Sequence, residues 1–552
     1  MQANFDYHKG ALLFEKQVQD WLAQFTWTKP PEVGTSFHFN FPPWNRKWDR
    51  VDKYVARTLE LAGFLKGGGG AFREIAVDQV QSHFAFTNFI WTLPDLVATR
   101  PEGVAKVAYF GNVTNADFSS VIESTLDPAV LKPLLAEDQR EALNFVSFDQ
   151  PPLLQGTARG NWEHEDTIAF QGQIAATNFY VKGVPFADLR GEFSITNGII
   201  EGQNFIAHRY EEEVRAPYFR LDIPGEVMFV TNVVSNMDPW LAMSLVGEDA
   251  YKAIDPFRFE TTPAVKVNGI VPLRHWSKAN LHFEVAGTNL TYWKFHFPNV
   301  VGDVYWRGDH VSFSNVFASF YGGQGRWSGH FYINDQHSAD FSFEGHATEA
   351  NLNLLMADLA PSTNRLEGTL NGRLVITSAN SDDFKHWNGF GEGSVKNGYL
   401  WSVPVFGVFT PVLDSFSPKA SLSRITAADG TFSITNSVIE TRDMQVKAPA
   451  FRLKYKGTVD FDGNLDAKVD AEILRDAWIV GRVFSVVLWP VAKAFEAKIG
   501  GTLENPKTKL RYFPKFLFAP LKALGSAGEG QGRKPSSENA PNTEVPPQKA
   551  PQ

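Results

Sequence analysis

One block of this chain occurs more than once. It reads Ser124-Thr-Leu-Asp127-Pro128, then Glu137-Asp138, Phe145-x-x-Phe148, Pro151-Pro152 and Gly156. It returns as Ser235-Asn-Met-Asp238-Pro239, then Glu248-Asp249, Phe257-x-Phe259, Pro263 and Gly269, with the same spacing from Asp-Pro to Glu-Asp. A copy cut off at its start is Phe25-x-Trp27, Pro30-Pro31, Gly34, and a weaker one runs from Asn351 through Met356 to Gly368. The period is roughly 100–120 residues, longer than that of common solenoids. Units copied in series fold as similar pieces that bury surface against their neighbours.

Local chemistry says what each piece is. Asp127 can cap a helix whose first position is Pro128, because proline has no N–H to leave unpaired there. The Pro-Pro pair stops that helix, and strands follow. Gly191-Glu-Phe-Ser-Ile-Thr-Asn-Gly-Ile-Ile-Glu201 returns as Gly430-Thr-Phe-Ser-Ile-Thr-Asn-Ser-Val-Ile-Glu440. It reads as a hairpin turning at Asn197-Gly198. Phe451, Leu453, Tyr455, Val459 and Phe461 alternate with polar residues and turn at Asp462-Gly463-Asn464. Leu465, Ala467, Val469, Ala471 and Ile473 alternate on the way back, so the hairpin has one wet and one apolar face. Aromatic residues make up 14% of the chain, which suits pleated surfaces more than helices. The expected fold is mainly β: serial antiparallel repeats curled into an elongated open groove, one short helix per repeat, and an apolar helix from Trp478 to Ala497. The expected boundaries are a truncated end of a preceding repeat at 1–24, then units at 25–144, 145–256, 257–358 and 359–476. A segment at 477–525 with the apolar helix and a basic-aromatic stretch follows, then a disordered tail at 526–552 rich in Gly, Pro, Glu, Gln and Lys.

Several function classes find no support. A net charge of −9 gives no basic footprint for nucleic acid. With no cysteine there is no thiol catalysis and no disulfide. Glu163-His164-Glu165-Asp166 has no helix-spaced histidine pair and reads as a solvated turn. Gly67 to Gly70 lacks the Lys-Ser/Thr of a phosphate loop and reads as a flexible turn. Asn334 to His337 reads as a polar hairpin loop. No catalytic residue, metal or cofactor is expected, and the chain reads as a non-enzyme.

One short helix per unit is too little to cover the apolar face of its strands. Either the sheet folds onto itself, or the face stays open for a guest. The candidate lining is Phe432, Ile434, Phe451, Leu453, Tyr455, Val459, Phe461, Leu465, Val469 and Ile473. Trp478, Trp489, Phe513, Phe516 and Phe518 are candidates for membrane contact, with Lys507, Lys509, Arg511, Lys515 and Lys522 close by.

Gly391-Glu-Gly-Ser-Val-Lys-Asn-Gly-Tyr-Leu400, Val403-Pro-Val-Phe406, Gly430 to Ile434, Phe451 to Ile473 and the closing Gly500-Gly-Thr-Leu-Glu-Asn-Pro-Lys507 resemble the C-terminal region of AsmA-like proteins. The good match covers about 390–510. The resemblance implies a periplasmic relative of AsmA and TamB that supports outer-membrane homeostasis. Its hydrophobic groove would hold or conduct phospholipid acyl chains between the inner and outer membranes, with a membrane surface or envelope proteins as further partners. The N-terminus has neither a secretory signal nor an anchor, so tethering to the inner membrane is expected through a segment upstream of Met1. The rival expectations are an envelope scaffold without cargo, a carbohydrate-binding β-solenoid and an outer-membrane barrel.

Overall fold

The structure is a computed structural model. It describes residues 2–512 apart from 4–15, 17–18, 21–22, 46–50, 135–139, 141–142, 247–250, 252–253, 255–256, 293, 335–337, 360–365, 412–423, 450 and 474–492. The chain is mainly β, with few helices; its strands form one large antiparallel sheet that is not closed. Two compact units are distinguished, Met1–Ser362 with Leu370–Gly391, and Thr363–Thr369 with Glu392–Gln552.

In the first unit one element order occurs three times. A short strand, Phe25–Trp27, and a second, Glu32–His38, precede Glu60–Phe72, Ile75–Thr87, Ile90–Arg100, Gly103–Asn112 and Asp117–Ser124, and the 3-10 helix Pro128–Leu134 closes the run. The next run has Val146–Phe148, Leu153–Asn161, His164–Val181, Val184–Thr196, Ile199–Arg209, Glu212–Asp222, Val227–Ser235 and the helix Pro239–Val246. The last has Phe257–Phe259, Ala264–Pro272, Asn280–Tyr292, Phe295–Arg307, His310–Phe320, Gly323–Ile333, Ala339–Asn351 and the helix Leu352–Leu359. Runs join through the second strand. One edge of Leu153–Asn161 pairs with His164–Val181, and the other takes Asp117–Ser124 of the run before. Ala264–Pro272 does the same between Asn280–Tyr292 and Val227–Ser235.

Side-chain chemistry fixes these boundaries. Asp127 Oδ1 accepts from the Ala129 N–H at 2.8 Å, Asp238 Oδ1 from Trp240 at 2.8 Å, and Asn351 Oδ1 from Asn353 at 2.9 Å. Each satisfies a donor that the first turn leaves free. Asn197 and Gly198 have φ of 49° and 73°, the left-handed pair that suits a two-residue hairpin; Asn436 and Ser437, at 47° and 62°, turn the homologous hairpin. Asn232 and Asn315, with φ of 52° and 50°, lie inside register breaks of their strands. Asparagine tolerates that conformation, and such bulges add local twist.

Two expectations change. Gly67 to Gly70 is no turn. It lies within the strand Glu60–Phe72, with Gly67 opposite Val80 and Gly70 opposite Val77. The Trp27 ring occupies the space a Cβ would need at Gly67 and Gly70, so glycine is there to admit an indole. The end of the expected apolar helix is strand: Lys493–Gly501 pairs with Leu465–Ile473. Phe495, Ala497 and Ile499 alternate inward, and that period of two decides for strand. Residues 477–492 and 526–552 lie outside the described residues, as does most of the Asn334 to His337 loop. Glu163 and His164 sit exposed at the hairpin entering His164–Val181.

The second unit is a meander of Ile425–Thr435, Val438–Lys447, Phe451–Asp460, Leu465–Ile473, Lys493–Gly501 and Pro506–Tyr512, with the short helix Pro404–Gly407. Phe451 pairs with Ile473 and Val459 with Leu465, as the alternation predicts.

Candidate functional site

Strand registers line up side chains across a sheet, so a row of cross-strand partners shows what each face offers. In the first unit one such row runs Leu96, Val107, Ile122, Gly156, Gly172, Phe193, Gly202, Phe219, Val230, Gly269, Leu281, Trp306, Val311, Phe331, Phe341. It crosses fifteen successive strands without a polar side chain. At ~4.8 Å per strand it spans roughly 65–70 Å along the sheet. A parallel row, Phe170, Ile195, Ile200, Leu221, Met228, Val271, lies on the same face.

Several glycines of these strands are covered by rings. The Phe219 ring lies where a Cβ of Gly202 would stand, Phe170 does the same at Gly156 and Gly172, and Trp327 at Gly325 and Gly345. Aromatic side chains laid over strand glycines keep the surface apolar where the backbone would otherwise be bare.

The opposite face is wet. Its row runs Lys106, Glu123, Gln155, Gln173, Glu192, Gln203. Lys106 Nζ donates to Glu123 Oε1 at 2.9 Å, and Gln173 Nε2 to Gln155 Oε1 at 2.9 Å. The Lys106 ammonium holds the Glu123 carboxyl below its ordinary range. A shallow depression of about 480 Å³ lies on this face, between Glu123, Gln155, Gln171, Glu192 and Gln203. The carboxylates are therefore on the side away from the Phe193 and Phe219 row, whereas a sugar site would put acids among its aromatic platforms.

Burial shows how much of the apolar face the protein itself covers. Thirteen of the fifteen row residues are only half-buried; Gly202 and Leu281 alone are buried. The helices cover one end of the strands. Leu241, Ala242 and Leu245 pack on Phe179, Val184, Phe186 and Met237, and Leu352 and Leu355 are buried at the equivalent end of the next run. Lys182 Nζ donates to the Leu245 carbonyl at 2.6 Å, placing a cation at the end of the first of these helices.

The second unit is built the other way. Its row Ala428, Val446, Leu453, Ala471, Phe495 is buried throughout, at 6, 0, 0, 1 and 0% exposure. The segment around Pro404–Gly407 closes over it. Trp401 packs on Phe451, Phe406 on Tyr455 and Phe409 on Phe495, with ring centroids 5.5, 5.4 and 5.4 Å apart. Of the ten lining candidates, Ile434, Phe451, Leu453, Tyr455 and Val469 are buried core here. Phe432, Val459 and Leu465 are half-buried, Phe461 is exposed, and the Ile473 side chain is outside the described residues. The Tyr455 hydroxyl is buried without a hydrogen-bond partner among the described residues, and burial pushes its pKa far up. The membrane candidates Trp478, Trp489, Phe513, Phe516 and Phe518 lie outside the described residues. Sequence reasoning missed the longer row because its glycines do not count as apolar until their neighbours' rings are seen.

Among the described residues no group of three or more His, Asp or Glu side chains is arranged to hold a metal, and no helix is long and apolar enough to cross a membrane. No protein-family model, no curated protein and no solved structure matches the chain.

Proposed function

We propose that this chain is a non-enzymatic protein of the bacterial envelope whose apolar sheet face holds or conducts phospholipid acyl chains through the periplasm between the inner and outer membranes. The observation that carries the reading is the row from Leu96 to Phe341, apolar over fifteen strands and left half-exposed by its own helices. A soluble fold gains about 25 cal/mol for each Å² of apolar surface it buries, so a long uncovered face invites an occupant. One exposed acyl chain costs on the order of 10 kcal/mol at about 0.8 kcal/mol per methylene. A row of similar side chains offers that chain nearly equal energy at every position, so the chain slides while its head group stays in water. Direction comes from outside the sheet. The occupied face belongs to the first unit; the second unit's apolar side is filled by the protein itself.

Native mass spectrometry of protein purified from cells tests this, together with photo-reactive residues at Phe219 and Phe331. Bound phospholipid and lipid adducts at both positions are expected. Empty spectra with no lipid adducts would leave a scaffold without cargo.

A further inference from the structure

On the wet faces of these sheets, cations meet acids on neighbouring strands. Lys106 pairs with Glu123 at 2.9 Å, Lys266 with Glu284 at 2.8 Å and Lys454 with Glu472 at 2.7 Å. One row of the second unit breaks this pattern. Lys456 lies opposite Lys468, Lys468 opposite Lys498, and Lys498 opposite Lys509, over four successive strands. All four are exposed. Like charges set directly opposite one another weaken a sheet. Two of the four find an acid: Lys468 Nζ lies 3.0 Å from Glu496 Oε1, and Lys498 Nζ 3.0 Å from Asp466 Oδ1. Among the described residues, Lys456 and Lys509 have no carboxylate within ion-pair reach, and neither has Arg511. A register break between Ala497 and Glu496 leaves Arg511 as the extra residue of its strand, so it does not stand opposite Glu496. Lys456, Lys468, Lys498 and Arg511 line a shallow depression of about 210 Å³ together with Asp466 and Ala467. Four cations thus face one carboxylate, in a chain of net charge −9.

We propose that this row is a binding site for a phosphate monoester, carried free in solution or as a lipid head group. A phosphate monoester holds about −1.5 to −2 on one group at neutral pH. Neighbouring rungs of the row stand ~4.8 Å apart, so one phosphate meets two ammonium groups. A carboxylate brings one charge and leaves the second lysine without a counter-charge. The site does not rest on the acyl-chain reading, which concerns the apolar face of the first unit.

The test uses the full chain at low salt, where exposed charges are least screened. It is titrated calorimetrically with glycerol phosphate and sedimented with vesicles of equal phosphatidic acid and phosphatidylcholine. Heat of binding from glycerol phosphate upholds the proposal for soluble esters. Sedimentation with the mixed vesicles, without that heat and not with phosphatidylcholine alone, upholds it for a lipid head group. Lys456→Gln/Lys509→Gln removes two exposed cations that hold no acid, and should weaken the observed binding about tenfold. The variant should melt no lower than wild type, because it relieves like-charge contacts. A lower midpoint would mean that these lysines hold the sheet together, and overturns the proposal. Binding in neither arm, or equal binding by variant and wild type, overturns it too. Glutarate, a soluble dicarboxylate, bound as tightly as glycerol phosphate would overturn it in favour of a carboxylate site.

Discussion

The Tyr321 hydroxyl donates a 2.6 Å hydrogen bond to Asp358 Oδ2 and accepts one from the His296 N–H at 3.2 Å. It joins the tip of the His310–Phe320 strand to the helix Leu352–Leu359. Burial and the Asp358 carboxylate push the phenol up to about 12, so it stays a donor at any working pH. Tyr321→Phe leaves both partners short of a bond in a nearly closed site. A loss of about 1–3 kcal/mol is expected, read as faster hydrogen exchange in that strand and helix. Unchanged protection there would show that the bond does not hold the helix down.

His208 lies between Asp188 at 2.9 Å and Glu213 at 3.2 Å. The Asp188 hydrogen bond, and after it that of Glu213, raises the imidazole pKa. The raised value puts the stabilisation below the unfolded pKa of about 6.5, and it is lost as pH rises through the folded one. The stability gap between wild type and His208→Asn should therefore be wider at pH 6 than at pH 9. NMR titration of the ring decides the point: a midpoint at or below the free value would refute the assignment.

Gly202 and Gly325 test the ring-covered surface. Any Cβ at Gly202 collides with the Phe219 ring, and one at Gly325 with the Trp327 indole. Gly202→Ala and Gly325→Ala should each cost about 1–3 kcal/mol, because the ring must leave its seat. The double change Gly202→Ala/Phe219→Ala should recover part of the packing strain. A Gly202→Ala variant as stable as wild type would mean that Phe219 has another seat.

Leu453 and Phe219 should separate stability from cargo. Leu453 is fully buried in the second unit, and Leu453→Ala should cost about 2–5 kcal/mol without changing co-purified lipid. Phe219 is half-buried on the open face, so Phe219→Ser should lower bound lipid with a smaller effect on stability. Equal lipid loss in both variants would argue against separate roles for the two faces.

The local signals that were legible in the sequence are those where one residue type has one job. Asp127 before Pro128 caps a helix, Asn197-Gly198 turns a hairpin, and the Phe451 to Ile473 alternation forms a strand pair. What was not legible depends on partners distant in the chain. The cleanest alternation belongs to Leu453 and Val469, yet that pattern fits a covered core as well as an open lining; only Trp401, Phe406 and Phe409 decide between them. Gly67 to Gly70 has turn composition, and Trp27, forty residues earlier, makes it strand. Lys493 to Ala497 follows an apolar stretch whose helical character hides the strand alternation of Phe495 and Ala497.

Rings fill the space of the missing side chain at Gly156, Gly172, Gly202 and Gly325, which levels the open face. Low relief means no socket cut to one molecular outline, so selectivity for tail length or unsaturation should be slight. Capacity would then follow how many strands a run contributes, and a chain with one run removed should hold proportionally fewer guests at unaltered strength.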